Sequence, residues 1–372
     1  MLAQLTANGF RNLAPLSLRP EPGSHLFLGG NGAGKTSFLE AVYVLATTKS
    51  FRTSQIADCI RHGADPADLF HLEGEVIAGR RSRLEVAYGK DFRLRTVNGR
   101  NAPLAEHLAV LPVVSWAAAD VELLSGAPRL RRRFLDRGVV GLRPTALEIL
   151  GRYREALKQK RGLLASGGPG LEAWNELLAG VAAELIVRRK AYVDALAGRL
   201  AEVLAESGLP FPDIELAYRP SPASGLEGAE AIARSFERIA DRERQRQLPV
   251  LGPHRDDLAI RWGEYELGRV ASAGERRALS LLLLAAHGRV LAASGARPVY
   301  LLDDIDAELS SATLGAIWRV FTADSGGDPG KLEKGGDRAP GQLFASSNRP
   351  QVWLTLPVGS LWQVEAGRIT LL

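Results

Sequence analysis

The spacing of apolar residues differs between the beginning and the middle of the chain. Residues 1–112 read as strands with few helices, and parts of this range alternate apolar and polar residues with the two-residue period of half-buried strands. The alternation is clearest in residues 72–77, 82–88 and 92–97. Asn98 and Gly99 then predict a hairpin turn. Residues 113–245 follow a helical period instead. The pattern therefore predicts a β-rich beginning followed by a mainly helical segment.

Within the helical segment, one long helix is predicted from apolar residues that share a face. These residues are Leu178, Val181, Leu185, Tyr192, Leu196 and Val203. The glycine-rich residues 166–170 separate it from an earlier helix over residues 147–164. Two antiparallel helices of about 35 residues would extend about 50 Å at 1.5 Å per residue. We therefore expect a short arm rather than a long coiled coil. A second glycine- and proline-rich stretch, residues 324–341, predicts a loop.

Residues 29–36 (GGNGAGKT) fit the phosphate-loop pattern G-x-x-x-x-G-K-[ST]. A short apolar strand precedes them and a helical pattern follows, which is the context that this motif requires. Glycines let the backbone approach phosphate oxygens, and the helix N-terminus supplies unpaired N–H groups. Lys35 is predicted to reach the β- and γ-phosphates, and the Thr36 hydroxyl to ligate Mg²⁺. The predicted nucleotide-binding residues here are Gly29, Gly30, Asn31, Gly32, Ala33, Gly34, Lys35, Thr36 and Ser37.

An apolar run over residues 298–302 ends in Asp303 and Asp304. Such an acid alone could be a helix cap or a turn residue, but the phosphate loop upstream favours a functional pair. Asp303 is predicted to hold Mg²⁺ through water, and Asp304 to polarise an attacking water. The candidate catalytic residues are thus Lys35 and Asp304. Transport ATPases usually carry Glu at the second position, so the shorter Asp predicts slow hydrolysis.

A third motif, residues 271–277 (ASAGERR), lies between the other two. Ser272, Gly274 and Glu275 are predicted to present a helix N-terminus to the γ-phosphate held by an opposite subunit. A plain capping box, with Ser272 as the cap and Glu275 at the third position, explains the same residues, and both interpretations can hold together. The three motifs predict a weak ATPase that works as an ATP-joined homodimer, with hydrolysis acting as a switch and no other catalytic activity.

Length and composition narrow the class of protein. A chain of 372 residues suits two domains. Its apolar runs are too short to span a membrane and its N-terminus does not read as a signal peptide, so a cytoplasmic location is expected. Cys59 is the single cysteine, which excludes internal disulfides, and the six histidines show no metal-ligand spacing.

The chain carries a net charge of +5, and most of its basic residues are arginine. Some of these arginines form two clusters in the sequence. The first consists of Arg129, Arg131, Arg132, Arg133 and Arg137, and the second of Arg234, Arg238, Arg242, Arg244, Arg246 and Arg255. Each cluster could bind phosphates of a nucleic acid. Each could equally be a solvated helix surface paired with the neighbouring acids Asp136, Glu237, Asp241 and Glu243. The sequence leaves both interpretations open.

Several longer motifs resemble one known family. These are residues 8–12 (NGFRN), 39–41 (LEA), 50–53 (SFRT), 131–136 (RRRFLD) and 252–257 (GPHRDD). Over nearly its whole length the chain resembles the RecF family of bacterial recombination-repair proteins, relatives of SMC ATPase heads. The resemblance implies an α/β fold, an ABC/SMC-like P-loop ATPase head split by an inserted helical arm. The head would comprise residues 1–112 and 246–372, and the arm residues 113–245.

The resemblance also implies a function. It points to an ATP-dependent DNA-binding protein of recombinational DNA repair and replication-fork maintenance, connected with DNA damage and the SOS response. An ATP-driven dimer would clamp single-stranded, gapped or junction DNA, together with RecR- and RecO-type mediators, and slow hydrolysis would release it. Arg11 and Asn12 would lie near the nucleotide. His254 and Arg255 would be either structural residues at the base of the arm or DNA contacts.

Some positions depart from the family pattern. The residue that links Mg²⁺ to the arm is either Asp120 or Glu122, and Ser310 stands where the family usually has Asp. The switch position that is His in transporters falls on Ser346 or Ser347. Two alternatives stay open, a membrane-transport ATPase subunit and an ATPase–nuclease of the overcoming-lysogenization type. The helical insertion argues against the first, and the short stretch after Asp304 argues against the second.

Overall fold

A computed structural model describes residues 1–61, 63, 69–167, 170–324 and 341–372. The chain forms two compact units. The first unit contains residues 1–121, 202–210 and 272–372, and the second contains residues 122–201 and 211–271. Within the described residues, no helix has the length and apolar character needed to cross a membrane.

The first unit contains an antiparallel sheet built from the beginning of the chain. Its strands are β1 (Leu2–Asn8), β2 (Leu16–Leu18), β4 (Phe70–Ala78), β5 (Arg80–Tyr88), β6 (Arg93–Val97) and β7 (Arg100–Asn101), in the order β2-β1-β4-β5-β6-β7. Asn98 and Gly99 both have positive φ at the β6–β7 turn, which confirms the predicted hairpin. The three strands expected from alternation are confirmed as β4, β5 and β6.

A second sheet of this unit is mainly parallel. It contains β3 (Gly23–Leu28), β8 (Val113–Trp116), β12 (Val299–Leu302), β13 (Gln342–Ser347), β14 (Ser360–Glu365) and β15 (Arg368–Leu371), in the order β15-β14-β3-β13-β12-β8. The helices of the unit are α1 (Lys35–Thr47), α2 (Leu104–Val110), α10 (Ala273–Ala293) and α11 (Ser311–Asp324). Because β3, β12 and β13 run parallel, their carboxyl ends meet at one sheet edge.

Aromatic packing joins this sheet to α1. The ring centroids of Phe27 and Phe38 are 4.3 Å apart, and Phe27 also stacks on Trp362. Phe344 packs edge-on against Phe38. All except Trp362 are fully buried, and Trp362 is 9% exposed. Aromatic pairs of this kind stabilise by about 0.5–1.5 kcal/mol beyond their buried area. The helix that follows the glycine loop is therefore held firmly against the sheet.

The second unit is mainly helical. Its helices are α3 (Glu122–Ser125), α4 (Pro128–Leu142), α5 (Ala146–Ser166), α6 (Leu171–Ser207), α7 (Ala229–Arg238), α8 (Ala240–Arg246) and α9 (Leu267–Val270), with α6 ending in the first unit. A small antiparallel sheet, β11-β10-β9, is formed by β9 (Ile214–Arg219), β10 (Asp257–Trp262) and β11 (Tyr265–Glu266). The six apolar residues expected on one face of the long helix are all buried on α6.

The expected domain boundaries are wrong in detail. Residues 113–121 were expected in the arm, but β8 pairs with β12 in the parallel sheet of the first unit. Residues 246–271 were expected in the head, but β10 pairs with β9 in the second unit. Strand pairing between distant segments decides both cases, and local periodicity does not report it. The arm helices α5 and α6 have 21 and 37 residues. The predicted break between the two arm helices is confirmed, since α5 ends at Ser166 and α6 begins at Leu171. The predicted loop at 324–341 falls largely outside the described residues.

Candidate functional site

The glycine loop connects β3 directly to α1, as the sequence predicts. Gly32 and Gly34 adopt positive φ values of 76° and 117°, and Gly34 is the residue before the first turn of α1. Side chains other than those of Gly, Asn and Asp are strained in this region, so the loop needs glycine at these positions. The first N–H groups of α1 have no acceptor within the helix, so they are available to an anion bound over the loop.

A cavity of about 250 Å³ lies over this loop. Its lining residues are Arg11, Asn12, Gly32, Ala33, Gly34, Lys35, Thr36, Ser37 and Arg52. The Lys35 side chain is buried, and its Nζ donates to the carbonyl oxygens of Gly29 and Gly30 at 2.8 and 3.0 Å. Lys35 thus lies across the loop with its charge near the positions that phosphates take in such loops.

Thr36 and Asp303 are 267 positions apart in sequence and meet at the sheet edge. The Thr36 Oγ1 donates to Asp303 Oδ1 at 2.9 Å, and the Ser346 hydroxyl donates to the same oxygen at 2.7 Å. Burial raises the pKa of Asp303, and the hydrogen bonds from Ser346 and Thr36 oppose that rise. A hydroxyl beside a half-buried carboxylate is the kind of oxygen-donor pair that binds Mg²⁺ beneath a phosphate loop.

Asp304 lies next to this pair. Its carboxylate oxygen Oδ1 is buried and has no hydrogen-bond partner among the described residues. A buried unpaired oxygen of this kind calls for an explanation such as a bound water or a ligand. The residues present therefore fit a nucleoside triphosphate with Mg²⁺: Lys35 supplies positive charge, Thr36 and Asp303 supply metal ligands, and Asp304 supplies a free acceptor.

Arg11 and Asn12 both reach the loop region, as the resemblance implies. Asn12 donates to the Gly32 carbonyl at 2.7 Å and accepts from the Ser37 hydroxyl at 2.7 Å, so it braces the loop against α1. Arg11 binds the buried Glu40 through two hydrogen bonds of 2.9 and 2.8 Å. Burial alone would lower the pKa of Arg11, but Glu40 raises it above its usual value. Arg11 is therefore held in place as a permanent cation beside the cavity.

The third motif forms the capping box that the simpler interpretation predicts. Ser272 accepts from the Glu275 N–H at 3.3 Å, and the Glu275 carboxylate accepts from the Ser272 N–H at 2.7 Å. These hydrogen bonds lower the pKa of Glu275. Ser272 and Glu275 are exposed and Gly274 is half-buried. They lie outside the set of described residues that line the cavity, so within one chain the motif leaves its helix N-terminus accessible.

The first arginine cluster, on α4, divides into two groups. Arg131 binds Asp257 through two hydrogen bonds of 2.7 and 2.9 Å, and Arg132 donates to the Asp256 carbonyl at 2.9 Å. The remaining three, Arg129, Arg133 and Arg137, are exposed. They are spaced four residues apart, which places them in one row along the helix. Arg129 and Arg133 have no ion pair within the described part of the chain.

The second arginine cluster is mixed. Arg234 pairs with Glu230 at 3.7 Å, and Arg244 pairs with Asp241 at 3.0 Å, as the solvated-surface interpretation predicts. Arg242, Arg246 and Arg255 are exposed and have no ion pair among the described residues. Exposed pairs of this kind contribute at most about 1 kcal/mol each, so they do not define the site.

His254 takes the structural role. Its Nδ1 shares a 2.7 Å hydrogen bond with the Tyr153 hydroxyl. Burial, together with a smaller contribution from the neighbouring Arg255, lowers the pKa of His254 to about 4. The ring is therefore neutral near pH 7 and cannot supply charge to a phosphate. Next to it, the buried Asp256 accepts hydrogen bonds from Arg189, the Ser221 N–H and Tyr218.

Some residues at the site were not predicted. Arg52 lines the cavity and Glu40 anchors Arg11. Glu40 and Arg52 lie in stretches that resemble the family, but their local sequence pattern does not indicate these contacts. Of the two candidate switch residues, Ser346 contacts Asp303, whereas Ser347 binds Asp306 at 2.8 Å. Asn348 donates to Asn31 at 3.0 Å and ties β13 to the loop.

The fold and this site define a P-loop protein of the class formed by ABC and SMC ATPase heads. The model of the RecF/RecN/SMC N-terminal domain matches residues 1–326. Among solved structures, the chain is similar to the recombination mediator protein RecF-ATP in the RecFOR pathway, with a TM-score of 0.84 and 23% identity, covering 100% of this chain and 97% of that one. An Smc head bound to the C-winged helix domain of ScpA gives a TM-score of 0.59 at 16% identity, covering 100% and 96%.

Curated relatives narrow the class to one family. The DNA replication and repair protein RecF of Anaeromyxobacter sp. (strain K) is 36% identical over 326 residues, which cover 84% of this chain and 86% of the relative. The protein with the same description from Acidothermus cellulolyticus (strain ATCC 43068 / DSM 8971 / 11B) is 35% identical over 327 residues, covering 83% and 87%. The chain belongs to the RecF family. The family and the fold class expected from the sequence are thereby confirmed.

Proposed function

We propose that this protein is an ATP-dependent DNA-binding protein of DNA replication and recombinational repair, in which two copies join around ATP. The observation that carries the proposal is the 2.9 Å contact between Thr36 and Asp303 beneath the phosphate loop. The descriptions of its RecF relatives support the assignment to repair. RecR- and RecO-type proteins are the expected mediators, because one similar structure belongs to the RecFOR pathway.

In the proposed mechanism Lys35 and the loop N–H groups bind the triphosphate, and Thr36 and Asp303 hold Mg²⁺. The metal, when bound, neutralises charge on the phosphates. Asp304 Oδ1 accepts a hydrogen bond from the attacking water and orients it. Ser272 and Gly274 of the second copy cover the γ-phosphate with a helix N-terminus. Because the motif is exposed, a neighbour can reach it.

The joining of two copies is tested by light scattering of the full chain. With ATP and Mg²⁺ the mass should double, and with ADP it should remain that of a monomer. The Lys35→Ala variant should stay monomeric with ATP and keep the melting temperature of the wild type, because Lys35 contacts only loop carbonyls. A wild-type mass that does not respond to ATP would refute the proposal.

For DNA we propose the exposed row on α4. Arg129 and Arg133 are separated by about 6 Å along the helix axis and lie on one face of α4, so both guanidinium groups can contact phosphates of the same nucleic acid. Replacing both by Glu should weaken DNA binding at least tenfold and reduce its dependence on salt concentration. The matched control replaces Arg234 and Arg244, which already have acidic partners, by Glu. Equal loss in both double variants would show that only net charge matters.

A further inference from the structure

Asp304 has an unusual backbone that is held from both sides. Its φ is 47°, in the left-handed region, which Asp adopts more readily than most residues other than glycine. The Ser346 hydroxyl accepts from its N–H at 2.8 Å, and Arg277 Nη2 donates to its carbonyl at 2.6 Å. Its carboxylate oxygen Oδ1 meanwhile has no partner among the described residues. The main chain is therefore fixed while the side chain remains available.

Arg277 is itself held tightly. It is 4% exposed, and its guanidinium lies over the Trp116 ring with 4.6 Å between the guanidinium carbon and the ring centroid. Trp116 donates to Ser280 at 2.9 Å, and Ser280 donates to the Arg277 carbonyl at 2.7 Å. Stacking together with this ring of hydrogen bonds defines one position for the guanidinium.

Arg277 also lies on the same helix as the exposed motif. It is five residues after Ser272, which corresponds to about 7.5 Å along α10. Gly274 lies between them, and the atom nearest to an added Cβ there is the Glu308 carbonyl oxygen at 3.8 Å. Because a helix is stiff over this length, displacement of its first turn also moves the guanidinium that holds Asp304.

We propose that Arg277 is a positioning residue, through which the helix carrying Ser272 and Gly274 sets the backbone of Asp304 in the same chain. Contact of that helix with a second copy would then adjust the acceptor oxygen in the first. Each copy would thereby adjust the orientation of its own water-binding carboxylate when its motif is engaged. This inference rests on the proposed function, since it takes Asp304 as the acceptor and the dimer as the active form.

The test uses the full-length Arg277→Met and Arg277→Lys variants. Met keeps the apolar stem and removes the donor, whereas Lys keeps a donor and a charge but not the planar stacking. For Arg277→Met we expect turnover to fall on the order of 10- to 100-fold, because small misplacements of catalytic groups have effects of this size. KM for ATP and the doubled mass with ATP should stay close to those of the wild type. Arg277→Lys should recover part of the lost turnover.

The charge-matched control is Arg319→Met, which alters an exposed residue of α11 and should leave turnover unchanged. Melting temperatures of all variants identify any that fail to fold. Unchanged turnover in folded Arg277→Met would overturn the inference. So would a loss of turnover that simply follows a loss of dimer, or Lys behaving the same as Met. If the wild type itself neither dimerises nor hydrolyses ATP, the proposed function fails, and this inference with it.

Discussion

Arg189 is the centre of a buried charge network in the second unit, and its replacement gives the sharpest stability prediction. Arg189 is 3% exposed and donates to Asp256 at 2.7 Å, to Asp136 at 2.7 Å and to the Pro253 carbonyl at 2.7 Å. Burial alone would lower its pKa, but Asp136 and Asp256 raise it above the usual range. The network joins the two family motifs at residues 131–136 and 252–257.

The expected loss in the free energy of unfolding of Arg189→Leu depends on which partners Asp136 and Asp256 keep. The Asp136 side chain is 22% exposed and retains Arg154 at 3.8 Å, so it can be solvated. Asp256 is fully buried and would keep only the neutral donors Tyr218 and Ser221. One buried charge is thus left unpaired, which corresponds to a loss of about 3–5 kcal/mol. The matched control is Arg188→Leu, whose partly exposed i,i+4 pair with Glu184 should contribute less than about 1 kcal/mol.

Urea titration followed by tryptophan fluorescence measures the change, with Trp174 and Trp262 reporting on this unit. The pH dependence gives a second check. Burial already raises the pKa of Asp256, and Arg189 is the strongest influence opposing that rise. Without Arg189 this pKa rises further. A carboxylate with a raised pKa in the folded state destabilises it at high pH, and the penalty disappears as pH falls through that pKa.

The difference in stability between Arg189→Leu and the wild type should therefore be smaller at about pH 5 than at about pH 8. A loss below about 1 kcal/mol at neutral pH would mean that water reaches Asp256 and that the network is not desolvated. If the difference in free energy of unfolding does not change with pH, the loss comes instead from altered packing around the new side chain.

Three other changes test separate parts of the molecule. Gly29→Ala should impair folding, which melting curves would report, because its Cβ would lie 2.2 Å from a backbone oxygen. In Gly30→Ala the added Cβ meets nothing within 4 Å, so this variant should only weaken the binding of a fluorescent ATP analogue. Thr36→Val removes the hydroxyl beside the proposed metal site, so ATP binding should lose most of its dependence on Mg²⁺. Titrations with ATP in the presence and absence of a chelator measure this dependence, and an undiminished dependence would place the metal elsewhere. The pKa of His254 is lowered from 6.5 to about 4, so its neutral form stabilises the fold above pH 6.5. This contribution, at most about 3 kcal/mol, is lost as pH falls toward 4. His254→Gln should remove this pH dependence of the free energy of unfolding in acid titrations, and an unchanged pH profile would refute the prediction.

Much of the local structure could be predicted from the sequence. The alternating stretches became β4, β5 and β6, and the apolar face of α6 is buried as the helical period requires. The glycine loop and the capping box at Ser272 also follow from short motifs. In each case the physical cause acts within a few residues, through backbone conformation, side-chain periodicity or a local hydrogen bond.

The tertiary structure decided what distant residues do together. Neighbouring arginines 131 and 133 look alike in sequence, but one is bound to Asp257 and the other points to solvent, because α4 turns them to different sides. Ser346 and Ser347 differ in the same way, since alternate residues of a strand face opposite sides of the sheet. The contacts of Asp303 with Thr36 and of Asp304 with Arg277 exist only because parallel strands and a capped helix end at one edge. Such convergence depends on strand order, which no local pattern encodes.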